Sequence, residues 1–471
     1  MRLDKKHKQN PMRQGSRVDI FLERKLGSGL FTYKTIFAML IPLILDHFFI
    51  NAINLLTTAM ISSSSQESVS AVSMIAPVSM IMWAVFSAIS VGGTVVVAQY
   101  KGSGNEEKTR NAAGQVMLAT FLVAIVSCVI LVASSEALVN VLFGEADPVV
   151  IQKASEYLIG VAISQIFLSV YMGAFAAFRG MGATKICLKL TIIINVIHLL
   201  ASMLFINVMH LDILGTTLSL NIARIIGCVV AVWLLMRPKS VLRIYPKDIF
   251  KINSQILRSI FKLGVPFALE QVFFNGGSMI VQTYIVHLGT KNIAANAIGN
   301  SAFSILYSAG LAVGTLATTI VGQCIGAGDK ELAREYGKKM VWLGTMMSVI
   351  SILLLFPVMP IILQLYQAPA ETISLIYKLL LIAMIPMPFF WSYSYVMPCV
   401  LRSAGDATFS SVVSLITMWA VRVGLGYVFA ITLGLGVHGI WICMGIEWSV
   451  RGFIFYLRYQ SGVWLSKNTI K

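Results

Sequence analysis

Two acidic residues stand inside stretches that otherwise hold almost nothing but apolar side chains. Asp46 lies in IPLILDHFFIN and Glu270 in VPFALEQVFFN. A charge at the bilayer centre costs roughly 2.5–3.5 kcal/mol on insertion scales, so such a residue is expected to face protein or a water-filled cavity and to have a function. Desolvation favours the neutral form of a carboxyl. The chemistry on offer is therefore exchange of a proton or a sodium ion, with attraction of a cation when the site is empty. Pro42 and Pro266 precede the acids by one turn, each freeing a backbone carbonyl and permitting a bend.

Asn51, Asn195 and Asn275 add polar groups in the same depth range, with helix–helix hydrogen bonding as their other use. Glu447 and Arg451 form an i,i+4 pair whose plainest role is structural. Arg224 and Arg422 are intramembrane cations able to neutralise an acid. His47 and His198 read as packing or hydrogen-bonding residues. Tyr171, Tyr284 and Trp391 are candidate cavity aromatics, suited to flat organic cations through cation–π contact, against a rival reading as packing residues.

The elements that position these residues follow from composition. Of 471 residues, 57% are hydrophobic and 12% charged, and mean hydropathy is +0.81. Soluble domains carry about 25% charge, so a water-soluble enzyme, a disordered scaffold and a fibrous protein are excluded. The sequence predicts an all-α membrane protein with twelve transmembrane helices, near 35–61, 69–100, 111–133, 150–178, 186–209, 213–236, 258–287, 293–324, 338–365, 372–401, 407–433 and 437–460. On these limits each acid lies ~11 residues, or ~16 Å, into its helix and close to the midplane.

The net charge of +16 does not imply a nucleic-acid partner, because the basic residues gather in loops and at the chain ends. With both termini in the cytoplasm, about 30 of the 36 Lys and Arg fall on the inner side, a strong positive-inside bias. The nine basic residues of Met1–Lys34 and the long apolar run after them predict a retained first helix rather than a cleaved signal. The six cysteines form no CxxC pair and read as apolar packing residues.

The halves repeat each other at an offset of 224 residues. It pairs Pro42 with Pro266, Asp46 with Glu270, Asn51 with Asn275, Gln99 with Gln323, Gly102 with Gly326, Gly104 with Gly328 and Gly215 with Gly439. FRGMGAT and LRSAGDAT pair Arg179 with Arg402. Six helices per half make the two six-helix lobes parallel repeats, an arrangement that places transporter sites near the midplane between halves. The predicted segments are a basic cytoplasmic N-terminus at 1–34, an N-terminal lobe at 35–237, a cytoplasmic linker at 238–257, a C-terminal lobe at 258–460 and a tail at 461–471. No phosphate-binding GxxxxGK[ST] loop, HExxH or nucleophile elbow is present, which leaves gradient-driven transport rather than ATP hydrolysis or intramembrane catalysis.

At this point the chain resembles the multidrug and toxic compound extrusion (MATE) transporters. The likeness rests on the proline-led first and seventh helices, AQYKGSGNEEKTRNAAGQ, VGQCIGAGDKELAREYGKK, FRGMGATK and LRSAGDAT, in order in both halves. The resemblance implies a V-shaped pair of lobes alternating between inward- and outward-open states, and efflux of organic, often cationic, compounds in exchange for protons or sodium. It also exposes departures. Positions where many members carry an acid hold Thr57, Phe274 and Trp391 here, so Asp46 and Glu270 look like a relocated pair.

The expectation is a cation-coupled antiporter in a bacterial inner membrane, monomeric, with no cofactor beyond a proton or Na+ at Asp46 or Glu270 and a small organic substrate as partner. The alternatives are a lipid-linked oligosaccharide flippase, a non-transporting membrane scaffold and a channel.

Overall fold

The computed structural model describes residues 16–61, 65–144, 147–365 and 370–467. The chain is helical nearly throughout, and among the described residues the only β pairing is one isolated bridge between Ser28 and Phe31. Six long helices build the first half: α2 (Tyr33–Ile61), α3 (Gln66–Gly102), α4 (Glu106–Ala133), α6 (Pro148–Gly180), α7 (Thr184–Ser202, continued by a π-helical turn to Val208) and α8 (Asp212–Met236). The second half repeats them as α10 (Ser254–His287), α11 (Thr290–Gly326), α12 (Lys330–Leu355), α14 (Ala370–Met384) with α15 (Ser392–Ser403), α16 (Ala407–Thr417, continued by π-helical turns to Thr432) and α17 (Gly436–Gln460). Shorter helices are α1 (Arg17–Leu26), α5 (Ser135–Phe143), α9 (Pro246–Phe250) and α13 (Met359–Leu365).

Among the described residues ten helices are long and apolar enough to cross a membrane, and the pair flanking Pro386, bent by 40°, makes an eleventh. Hydropathy alone does not pick out α10, although its 34 residues are ample; its place opposite α2 in the repeat makes it the twelfth. The predicted spans at 338–365 and 372–401 are each interrupted, at Pro357 and around Pro386 and Pro388. Proline removes a donor and clashes with the preceding turn, so the helix breaks or widens there. The predicted linker is partly helical: α9 lies within it and α10 already begins at Ser254.

The glycine motifs turn out to be one device used twice. Gly104 and Gly328 take positive φ (73° and 78°), a conformation that costs glycine nothing. Asn105 and Asp329 then cap the next helix, accepting from the amides of Lys108 and Leu332. Between these turns α3 crosses α11 backbone to backbone. A Cβ on Gly102 would run into the Gln323 carbonyl oxygen, and one on Gly326 into that of Gln99.

The two largest hydrophobic cores among the described residues exchange helices. The C-terminal core takes in Ile36, Met39, Leu40 and Leu43 of α2, together with Leu26. The N-terminal core takes in Ile256, Ile260 and Leu263 of α10. The first and last described segments lie together at one end of the bundle, the termini end. The Tyr336 hydroxyl is hydrogen-bonded to the Ser28 and Phe31 carbonyls, and that of Tyr459 to the Arg334 carbonyl. Beside them the Tyr33 hydroxyl and the Ser16 amide donate to Asp19 and hold its carboxyl below the usual range.

Candidate functional site

Each acid singled out by the sequence meets an arginine from the end of its lobe's fourth span. Arg179 Nη2 donates to Asp46 Oδ2 at 3.2 Å. Arg402 Nη1 donates to Glu270 Oε2 at 3.3 Å, and the Ser411 hydroxyl donates to the same oxygen at 2.8 Å. Asp46 is 1% exposed and Glu270 8%. Each guanidinium also lies over an aromatic ring, Arg179 over Phe175 at 5.1 Å and Arg402 over Phe267 at 4.2 Å. The acids and their arginines come from repeat-related segments, so the ion pairs are a property of the duplication, whereas the rings do not: Phe175 is on α6 and Phe267 on α10.

The Thr184 hydroxyl donates to the Met39 carbonyl at 2.8 Å, which sets Met39 level with the termini end of α6 and α7. Asp46 is seven residues further on, ~10 Å deeper into the bundle.

Glu447 is fully buried between two cations: Arg451 Nη1 at 2.7 Å and Arg422 Nε at 2.5 Å. Arg451 further donates to the Ser394 hydroxyl at 2.6 Å and covers the Tyr395 ring at 4.7 Å. Arg422 therefore does neutralise an acid. Arg224 does not. It donates to the Ser164 hydroxyl at 2.5 Å, lies within electrostatic range of Tyr157 and Tyr171, and meets no carboxylate among the described residues. These interior groups number five guanidiniums (Arg179, Arg224, Arg402, Arg422, Arg451) and three carboxylates.

Other expected site residues fall elsewhere. Trp391 is 2% exposed and stacked between Tyr307 and Tyr395, with centroids 6.0 and 4.8 Å away, so in this structure it packs in the core. Tyr284 leans edge-on against Tyr427 at 5.5 Å. Tyr171 does stay at the site, edge-on at 5.2 Å to the Phe175 ring that carries Arg179. Asn195 and Asn275 donate to carbonyls one turn back on their own helices, Thr191 and Gln271, rather than across helices. Asn51 is exposed. His47 adjoins the pair, and its Nε2 is buried without a hydrogen-bond partner, as is Asp46 Oδ1. The side chain of Thr57 lies outside the described residues.

For a sodium ion the geometry is poor. Among the described residues no three His, Cys, Asp or Glu side chains gather, and each candidate carboxylate already faces a guanidinium, which repels a second cation.

The arginine-bearing helix ends also hold the lobes together. Gln323 Nε2 donates to the Gly180 carbonyl at 2.9 Å and the Thr319 hydroxyl to that of Arg179 at 2.9 Å. From the other lobe, Gln99 Nε2 donates to the Ser403 carbonyl at 2.7 Å. Sequence reasoning passed over Arg179, Arg402, Gln99 and Gln323 as site residues, although their pairing across the repeat was visible and was the signal that could have found them.

Parallel six-helix repeats with charged pairs at matching positions are the architecture of a membrane transporter, not an enzyme. The MatE family matches residues 42–204 and again 266–428, once per repeat, and the chain belongs to that family of multidrug efflux transporters. It is 26% identical over 416 residues to the uncharacterized transporter YisQ of Bacillus subtilis, spanning 87% of this chain and 90% of that one. To a probable multidrug resistance protein NorM of Thermotoga maritima it is 23% identical, over 86% of this chain and 88% of the other. Its fold matches a crystal structure of a MATE transporter in the straight conformation with a TM-score of 0.84 at 17% identity, covering 92% and 97% of the two chains. A multidrug resistance MATE transporter in an outward-facing conformation matches equally well, at 0.84 and 17% over the same shares.

Proposed function

We propose that this protein is a proton-coupled antiporter that exports organic compounds by alternating access between its lobes, with both termini in the cytoplasm of a bacterial cell and the monomer as the working unit. One observation carries the reading. In each lobe the arginine that holds the acid sits on, or one residue from, a carbonyl clamped by the other lobe: Arg179 beside Gly180, and Arg402 beside Ser403. A proton arriving on Asp46 or Glu270 removes the charge that holds its arginine. The freed guanidinium can move with its helix end, and the clamp on the opposite lobe loosens. The groups facing Asp46 are Arg179, His47, Tyr171 and Cys187, with Arg224 within reach through Tyr171.

Proton rather than sodium is favoured because a proton needs one lone pair, whereas a metal ion needs a cage of oxygens that the guanidiniums displace. The test is efflux from proteoliposomes under separately imposed pH and sodium gradients. A pH gradient is expected to drive transport, and Asp46→Asn and Glu270→Gln each to abolish it. Wild-type coupled transport by both variants defeats the proposal.

The excess of guanidiniums favours a second reading of the substrate. An organic cation must compete with Arg179 or Arg402 for its carboxylate, whereas an anionic group finds Arg224 unclaimed. Paired screens of fluorescent organic anions and cations decide it, with Arg224→Gln expected to lower transport of the anions only.

A further inference from the structure

At the termini end a cavity of about 220 Å³ lies between the end of α3, the start of α4 and the connection from α8 to α9. Its lining includes Lys101, Arg110 and Arg243 against a single acid, Glu106, with Thr109, Ser240 and Tyr245 completing the polar wall. Two of these cations share one ring with a third from outside the lining: Arg243 lies over Tyr245 at 5.0 Å, Arg110 at 5.7 Å and Lys247 at 5.6 Å. The nearest neutralising group outside the lining is Asp248, whose carboxylate is 3.9 Å from Arg110 Nε, too long for a hydrogen bond. That Nε is buried and has no hydrogen-bond partner.

The walls are fixed. Gln115 on α4 donates to the carbonyls of Asp248 and Lys251 at 3.1 and 3.0 Å and accepts from the Asn253 amide at 3.0 Å. The cavity is not a by-product of the repeat. In the second half Ile325 replaces Lys101 and Ala333 replaces Thr109, while Arg334, the counterpart of Arg110, is spent on Gln460.

We propose that this cavity binds a phosphate group, free or on a lipid headgroup of the cytoplasmic leaflet, and that the bound phosphate holds the termini end of the transporter shut. Arginine forks and a lysine suit a multiply charged oxyanion, and basic pockets at the cytoplasmic ends of spans are where anionic headgroups reach the protein. The volume is that of several waters at ~30 Å³ each, enough for a phosphate. Two lining residues adjoin the contact between lobes. Lys101 precedes Gly102, which crosses the Gln323 carbonyl, and Met181 follows Gly180, whose carbonyl accepts from the Gln323 side chain. An anion bridging them to α4 and the linker braces that crossing. The inference goes beyond the transport reading, and its readouts require no transport.

The experiment follows thermal unfolding of the full chain in neutral detergent. Inorganic phosphate forms one arm, against chloride at equal ionic strength, and micelles doped with phosphatidylglycerol, against phosphatidylcholine, form the other. A saturable rise in Tm of several degrees is expected in at least one arm; a rise with lipid alone assigns the site to a headgroup, and a rise with both admits the free ion. Lys101→Gln/Arg243→Gln, which leaves Arg110 and Asp248 in place, is expected to weaken the half-saturating concentration at least tenfold, while Lys239→Gln leaves it unchanged. In a variant whose only cysteine is Cys324, buried next to the crossing, the same ligand is expected to slow alkylation at least threefold. No saturable rise in either arm, or an equal response from the double variant, overturns the site. Binding without protection of Cys324 overturns the link to the shut state.

Discussion

Replacing Asp46 by Asn leaves the partly buried Arg179, its side chain 22% exposed, without its counter-charge, and the cost can be worked from the geometry. Unit charges 3.2 Å apart attract by ~5 kcal/mol at an effective dielectric constant of 20. Much of this is offset by the water each ion gave up, but that offset is not recovered when only one partner is removed. Breaking a buried pair from one side costs ~3–5 kcal/mol. Asp46→Asn and Arg179→Gln should therefore each destabilise by ~3 kcal/mol. The double variant should cost ~3–4 kcal/mol rather than the ~6 of a simple sum, a coupling of ~2–3 kcal/mol. Reversible denaturation in mixed micelles, following tryptophan fluorescence, supplies the four free energies. The same cycle on Glu270 and Arg402 should give a smaller coupling, because the Ser411 hydroxyl still serves the carboxylate when the arginine is gone. Additivity at Asp46 and Arg179 within ~0.5 kcal/mol would refute the claim that the pair acts as a unit, whatever the transport assays show.

The clamps between lobes should respond as a set. Gln99→Ala with Gln323→Ala removes two hydrogen bonds worth ~1 kcal/mol each, and alkylation of Cys324, 0% exposed, should speed up about 10- to 30-fold. Trp391→Ala should cost ~3–5 kcal/mol of stability as a core truncation; unfolding curves beside substrate profiles would show a changed range but unchanged stability if Trp391 instead lined a cavity. Asp19 has a depressed folded value, so its contribution is present above the unfolded carboxylate value near ~3.9 and is lost as pH falls through the folded one. Limited proteolysis of the segment around α1 should stay constant between pH 5 and 8 and accelerate in Asp19→Asn.

The fold was largely legible because the repeat left matching prolines, glycines and acids at one offset, and apolar length does the rest in lipid. Asp46 and Glu270 were legible as charges with nowhere polar to go. Their partners were not. A helix pairs its residues with a neighbour three spans away, and no spacing in the chain encodes which face of α6 or α15 turns toward which acid. Trp391 was ambiguous because a wide flat ring serves a packed core and a binding wall equally well, and its stack with Tyr307 and Tyr395 is visible only in the fold.

The exchange of α2 and α10 between the cores bears on how the molecule is made. While the first half is still leaving the ribosome, the inner face carrying Ile36, Met39, Leu40 and Leu43 has no surface to rest on, since that surface is encoded more than 200 residues downstream. Neither half is a self-sufficient product. Severed polypeptides should regain activity when synthesised together in one cell, and each alone should be degraded.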